Sequence, residues 1–193
     1  MSKFISERFS VLEPYKPGEQ PGNIEYIRLN TNESPYPPSP RVIAAIGEEE
    51  IARLNLYPDF NGLLLRKKIA DLYGVSHENI VIGNGSDEIL SLLFMTFFDD
   101  KSYVVFPKIT YDFYKVFSQL YGIKYMEIPM KEDLSIDFKD YIRINKNIIL
   151  ANPNAPTGLF LSMENIEEII KSNPENLIVI DEAYIDFGGE SVY

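Results

Sequence analysis

Three short stretches combine residue types and spacing that could do chemistry. Residues 83–88 read Gly-Asn-Gly-Ser-Asp-Glu and lie between the apolar residues 80–82 and a helical pattern. Glycines permit a tight turn, and the free N–H groups and positive dipole end of a helix start make a pocket for an anion such as a phosphate. Taken alone, the simpler reading is an ordinary helix start, because Ser86 and Asp87 are good first-turn residues. The third glycine of a dinucleotide fingerprint and the lysine of a P-loop are both missing, so those phosphate readings fail. In the second stretch, Leu-Ile-Val-Ile-Asp-Glu-Ala-Tyr at residues 177–184, an apolar strand runs into paired acids. A carboxylate at a strand end can meet a buried cation. Magnesium in an ATPase would require a Gly-x-x-x-x-Gly-Lys-Ser/Thr loop upstream, and the sequence has none. The other cation is a protonated pyridine nitrogen, which Asp181 would hold in its charged form. The plainer alternative is that Asp181 and Glu182 cap the next turn. The third stretch is Asn-Pro-Asn-Ala-Pro-Thr-Gly at residues 152–158, a rigid irregular turn of the kind that aims polar side chains.

Elements are needed to position these stretches. Residues 14–40 carry nine Pro and Gly breakers, from Pro14 through Pro40, too many for a regular element, and read as an extended arm. Val42, Ile43, Ile46 and Ile51, then Leu64, Leu65, Ile69, Leu72 and Tyr73, fall at helical spacing, with Gly74 as a stop, so two helices are expected after the arm. From there short apolar runs alternate with helical segments. Strands are expected at 80–82, 103–106, 124–128, 147–151 and 177–180, and helices at 86–98, 111–121 and 162–171. That rhythm predicts an α/β fold with a mostly parallel sheet and helices on both faces, binding ligands at the carboxyl ends of its strands. The simplest partition is an arm over residues 1–40 and one domain over residues 41–193.

Composition narrows the partners. Of 193 residues, 45% are hydrophobic and 13% aromatic, enough for one sizeable core. Lys and Arg total 18 against 29 acids, a net charge of −11, with the basic residues scattered, which argues against nucleic acid. Cysteine is absent and His77 is the single histidine, so neither a disulfide framework nor a metal site is expected, and His77 reads as a loop or helix-start residue. No apolar stretch approaches the roughly 18 to 20 residues of a membrane span, and no signal-peptide segment opens the chain. A soluble, cytoplasmic protein is expected.

The ordered set of Gly-Ser-Asp-Glu at 85–88, Thr110-Tyr111, the 152–158 turn and Asp-Glu-Ala-Tyr at 181–184 resembles the fold type I pyridoxal-phosphate (PLP) aminotransferases. Pro14-Tyr15 with Lys16-Pro17-Gly18, the Leu-Asn-Thr-Asn-Glu-Ser-Pro run at 29–35, and Tyr57-Pro58-Asp59 are similar to the histidinol-phosphate aminotransferases among them. The resemblance covers nearly the whole chain and implies the N-terminal portion of that family. Its fold would be a three-layer, mostly parallel sheet of the large domain, truncated, with the arm attached. The implied activity is amino transfer between histidinol phosphate, or imidazole-acetol phosphate on the return, and glutamate or 2-oxoglutarate, in a homodimer.

Carried over by position, the family implies that Ser86 and Asp87 hold the PLP phosphate and that Tyr111 stacks on the pyridine ring. Asp181 pairs with the ring nitrogen, and Tyr184 donates to the phenolic oxygen; these two are the implied catalytic residues. The family places an Asn immediately before the Pro of Pro-Thr-Gly, where this sequence has Ala155. Asn154, one residue earlier, either reaches the same oxygen by another path or leaves the contact unmade. Tyr15 and Asn32 match positions that enclose substrate, and Tyr57 matches one that reaches the partner subunit's cofactor phosphate; packing is the plainer role for the two tyrosines. The lysine on which such enzymes carry their cofactor is implied beyond Tyr193, so this chain alone is expected to be inactive. A threonine-phosphate decarboxylase, an aromatic aminotransferase and a non-catalytic binding or dimerisation fragment are the competing readings.

Overall fold

The computed structural model describes residues 32–193 together with Phe4 and Phe9. Tyr15 and most of the expected arm lie outside the described residues. Two compact units divide at Ile80 and Val81.

In the unit ending at Ile80, residues 32–39 form no helix or strand. Ser39 then caps α1 (Pro40–Ala45), its side chain accepting from the Val42 N–H, with a proline in the first turn where its missing N–H costs nothing. Gly47, in an extended conformation, separates α1 from α2 (Glu48–Ala52). The single helix expected over Val42 to Ile51 is therefore two short ones, because the spacing of apolar residues continues across a residue whose backbone does not. The helix α3 (Leu63–Tyr73) ends at Gly74, whose φ of 63° is the left-handed stop the sequence announces. An Asp59 carboxylate oxygen accepts the Leu63 N–H at 2.6 Å, and the Arg66 guanidinium donates twice to the His77 carbonyl, at 3.1 and 2.7 Å. His77 opens a single 3₁₀ turn, His77–Asn79.

The unit from Val81 is built on a four-stranded parallel sheet: β1 (Tyr103–Pro107), β2 (Lys124–Ile128), β3 (Asn147–Ala151) and β4 (Ile178–Asp181), in the order β2-β1-β3-β4. Helices α4 (Ser86–Phe97), α5 (Phe113–Tyr121) and α6 (Met163–Ser172) surround it. The two inner strands, β1 and β3, are buried from their second residue on, as near-continuous apolar runs in a parallel sheet must be. Their side chains alternate between two cores. Val104, Phe106 and Ile149 pack with Leu90 and Phe94 of α4 and Tyr114 and Phe117 of α5. Val105, Ile148 and Leu150 pack on the other side with Ile166 and Ile169 of α6. Helix, sheet and helix thus form three layers.

One expected strand is absent. Residues 80–82 form no strand, and Val81 is 75% exposed. An Ile-Val-Ile run has strand propensity, but a strand also needs an edge to bond to, and none of the four strands pairs with it.

Candidate active site

In a parallel sheet the carboxyl ends of all strands lie at one rim. Here β1, β3 and β4 are neighbours, and the chain leaving each contributes to one cleft, lined by Ser86, Tyr111, Ala151, Pro153, Ala155, Asp181, Ala183 and Tyr184. Four of the residues expected from the sequence, Ser86, Tyr111, Asp181 and Tyr184, line it together.

Asp181 is the last residue of β4, and its carbonyl accepts the Asn152 N–H at 2.9 Å, tying the ends of β3 and β4. Its carboxylate has two donors: the Tyr114 hydroxyl at 2.7 Å on Oδ2 and the Ala183 N–H at 3.1 Å on Oδ1. The second bond is the turn cap that the plainer reading of this residue foresaw. Glu182 does not share that role: its carboxylate reaches further along the chain, accepting the Ser191 hydroxyl at 2.7 Å and the Val192 N–H at 2.8 Å. Burial first, and then the Asp181 charge and hydrogen bond, push the Tyr114 phenol well above its ordinary range, so it stays a neutral donor.

Beside the lining residue Ser86, Gly85, at φ 84°, turns the chain into α4. A side chain would be strained in that conformation, so this helix start has no side-chain cap, and its first-turn N–H groups and the Ser86 hydroxyl are what it offers an anion. The Asp87 carboxylate does not add to that offer. It accepts the Tyr111 hydroxyl at 2.5 Å, and burial followed by this bond raises the Tyr111 phenol. The Tyr111 ring stacks on Phe113 at 5.4 Å and meets Tyr114 edge-on at 5.7 Å, making a rigid aromatic wall.

The 152–158 turn does not aim its polar side chains into the cleft. Asn152 is buried and pairs with the Leu161 main chain, accepting from its N–H at 2.9 Å and donating to its carbonyl at 3.3 Å. Asn154, 1% exposed, accepts the Thr110 hydroxyl at 2.7 Å and donates to the Ile109 carbonyl at 3.0 Å and to Thr157 at 2.9 Å. Both amide hydrogens and the oxygen of Asn154 are thus engaged inside the protein, and the turn presents Pro153 and Ala155 to the cleft instead. Peptide bonds 152–153 and 155–156 are cis.

Tyr57 and Asn32 belong to the other unit, where Tyr57 is fully exposed and Asn32 adopts a φ of 52°. Two residues given no role by the sequence stand out here: Thr110, which holds Asn154, and Tyr114, which holds Asp181. Neither carries a local signal, since their partners lie 44 and 67 residues away in the sequence.

These parts fit one kind of ligand. A helix start for an anion, a held carboxylate for a cationic ring nitrogen, an aromatic wall and a second phenol at Tyr184 suit a flat heteroaromatic ring carrying a phosphate arm. None of the described residues lining the cleft is a metal ligand set, and no cluster of metal-binding side chains occurs among the described residues.

The family described as aminotransferase class I and II matches residues 24–192. The chain is 52% identical, over its full length, to a histidinol-phosphate aminotransferase of Brachyspira hyodysenteriae, covering 55% of that protein. It is 51% identical over 99% of its length to one of Clostridium acetobutylicum, covering 54%. Among solved structures, the histidinol-phosphate aminotransferase of Sinorhizobium meliloti in complex with pyridoxal-5'-phosphate superposes with a TM-score of 0.75 at 27% identity, over 82% of this chain and 44% of that one. The chain spans about half the length of the relatives it matches.

Proposed function

The chain belongs to the class I and II aminotransferases, and from that premise we propose that it is the cofactor-cradling portion of a PLP-dependent enzyme that transfers an amino group between histidinol phosphate and 2-oxoglutarate. The observation that carries this is Asp181: a carboxylate at a strand end, held by two donors, lining one cleft together with Ser86 at an uncapped helix start.

When bound, PLP supplies an electron sink for the carbon that exchanges its amino group. The residues of this chain do the rest of the work assigned to it. The Ser86 hydroxyl and the first-turn N–H groups of α4 bind the phosphate, and Asp87 serves through its main chain and by fixing Tyr111. The Tyr111 ring covers one face of the pyridine. Asp181 keeps the ring nitrogen protonated, and Tyr184 donates to the phenolic oxygen. Asn154 contributes by holding the 152–158 turn in place. Tyr15, Asn32 and Tyr57 act from the first unit and its arm, Tyr57 in the partner of a homodimer. The exposed Val42, Ile43, Ile46 and Ile51 on the short helices of that unit supply apolar surface for such an assembly. The cytoplasm is the expected setting; no helix among the described residues is long and apolar enough to cross a membrane.

The test is amino transfer from histidinol phosphate to 2-oxoglutarate by the complete protein, wild type against Asp181→Asn. The wild type is expected to turn over and the variant to fall to background with its fold intact. Wild-type turnover with other phosphorylated amines and none with histidinol phosphate would remove the substrate assignment. Near-normal turnover by the variant would remove the assignment of Asp181.

A further inference from the structure

Resting on the cofactor reading above, we propose that Tyr114 is a positioning residue for Asp181, its hydroxyl fixing one carboxylate oxygen so that the group presents its remaining lone pairs to a ring nitrogen in the cleft. Tyr114 is wholly buried. Its ring is wedged between Phe106, at 5.9 Å, and Tyr111, at 5.7 Å and 81°, so the hydroxyl has little freedom to move. The bond to Asp181 Oδ2 spans 2.7 Å and links the first turn of α5 to the end of β4, residues 67 apart in sequence. The Ala183 N–H occupies Oδ1.

Each carboxylate oxygen has about two acceptor sites, so one donor apiece leaves acceptor capacity on both. With Oδ1 held from one side only, the carboxylate could swing about its Cβ–Cγ bond, because Asp181 is only half-buried. The second donor removes that freedom. It is also a donor at every physiological pH, since burial and the Asp181 charge both disfavour its ionisation. A hydrogen bond to a charged acceptor is about twice as strong as a neutral one. The alternative role for Tyr114 is packing alone, as one large ring in the core that also contains Phe94 and Phe117. The two roles differ in whether the residue senses the ligand's ring nitrogen.

The experiment measures dissociation constants of PLP and of its 1-deaza analogue, in which carbon replaces the ring nitrogen, for the purified protein and for Tyr114→Phe. The wild type is expected to prefer PLP, and the variant to lose about tenfold of that preference with its deaza affinity unchanged. Equal weakening of both ligands, or no change in either, would overturn the inference and leave Tyr114 as packing. A wild type that binds PLP without preferring it to the analogue, or that binds neither, would overturn the cofactor reading and this inference with it. If the variant does not fold, 3-fluorotyrosine at position 114 keeps both ring and donor. Its fluorine resonance is expected to move with PLP and not with the analogue, and an identical response to both would count against the positioning role.

Discussion

Replacing Asn154 with alanine separates two roles for a residue that stands one position before the family's cofactor-contacting Asn and that the structure buries inside a loop. The side chain, 1% exposed, makes three hydrogen bonds, at 2.7, 3.0 and 2.9 Å, to Thr110, Ile109 and Thr157. At a net contribution of about 1 kcal/mol each, their loss sums to about 3 kcal/mol. The burial of Thr110 works against rescue by water, whereas the half-buried Thr157 keeps its bonds to the Asn154 carbonyl and the Leu159 N–H, so the cost falls mainly on the Thr110 side. For a chain of this length it corresponds to a fall of roughly 6 to 12 °C in the unfolding midpoint. Thermal and urea unfolding followed by far-ultraviolet circular dichroism, with no ligand present, measure it. If the Asn154 amide serves a ligand rather than the turn, the variant will keep its midpoint and lose only PLP affinity. A loss of stability below about 1 kcal/mol would therefore refute the structural role argued here.

Phe94→Ala is expected to cost about 3 to 5 kcal/mol in urea unfolding, because the ring is wholly buried between Phe98 at 5.2 Å and Phe117 at 5.6 Å and leaves a cavity between helices and sheet; a cost under 1 kcal/mol would mean the core collapses around it. Tyr111 and Tyr114 should resist ionisation when phenolate absorbance is followed to high pH. Both are raised in the folded state, so their stabilising contribution is full below about pH 10 and is lost as pH rises from there towards the raised values; a titration in which all the tyrosines ionise together would contradict the buried pair. Tyr111→Phe should free the Asp87 carboxylate at the helix start and weaken inorganic phosphate binding there, read by phosphorus resonance line widths, and tighter phosphate binding would show that Asp87 was never a repulsive neighbour.

What was legible in the sequence was local. The β1 and β3 segments read as strands because Val104 to Phe106 and Ile148 to Leu150 are apolar without interruption, the mark of a strand covered on both faces. Gly74 announced its stop because a left-handed backbone selects glycine whatever surrounds it. Residues 80–82 carry the same local mark and still form no strand, since a ladder is a property of two segments and only one is visible in a run of three residues. Asn154 and Tyr114 fail to show for a related reason. Their partners, Thr110 and Asp181, lie 44 and 67 residues away, and nothing in the neighbouring sequence encodes which asparagine or which tyrosine will meet them.

The distant pairs nonetheless follow a rule that the topology supplies. Parallel strands joined by crossover helices deliver every strand's carboxyl end to one rim, so residues that follow β1, β3 and β4 converge however far apart they are in sequence. The entry to α5 follows β1 and carries two phenols three residues apart. One meets Asp87, which follows the turn into α4, and the other meets Asp181, which ends β4. Asp181, which lines a cleft with no lysine or arginine among its described lining residues, and Asp87, which holds the lining residue Tyr111, are thereby each given a neutral donor. The negative charge of Asp181 stays uncompensated by any lining cation and remains open to a cation carried by the ligand. Asp87 is turned to a tyrosine, and an anionic group is left the main-chain N–H groups of the α4 start. The polarity of the cleft therefore rests on Tyr111 and Tyr114 as much as on the acids themselves, and under the proposed function it would favour one orientation of a ring with a positive nitrogen and a negative arm.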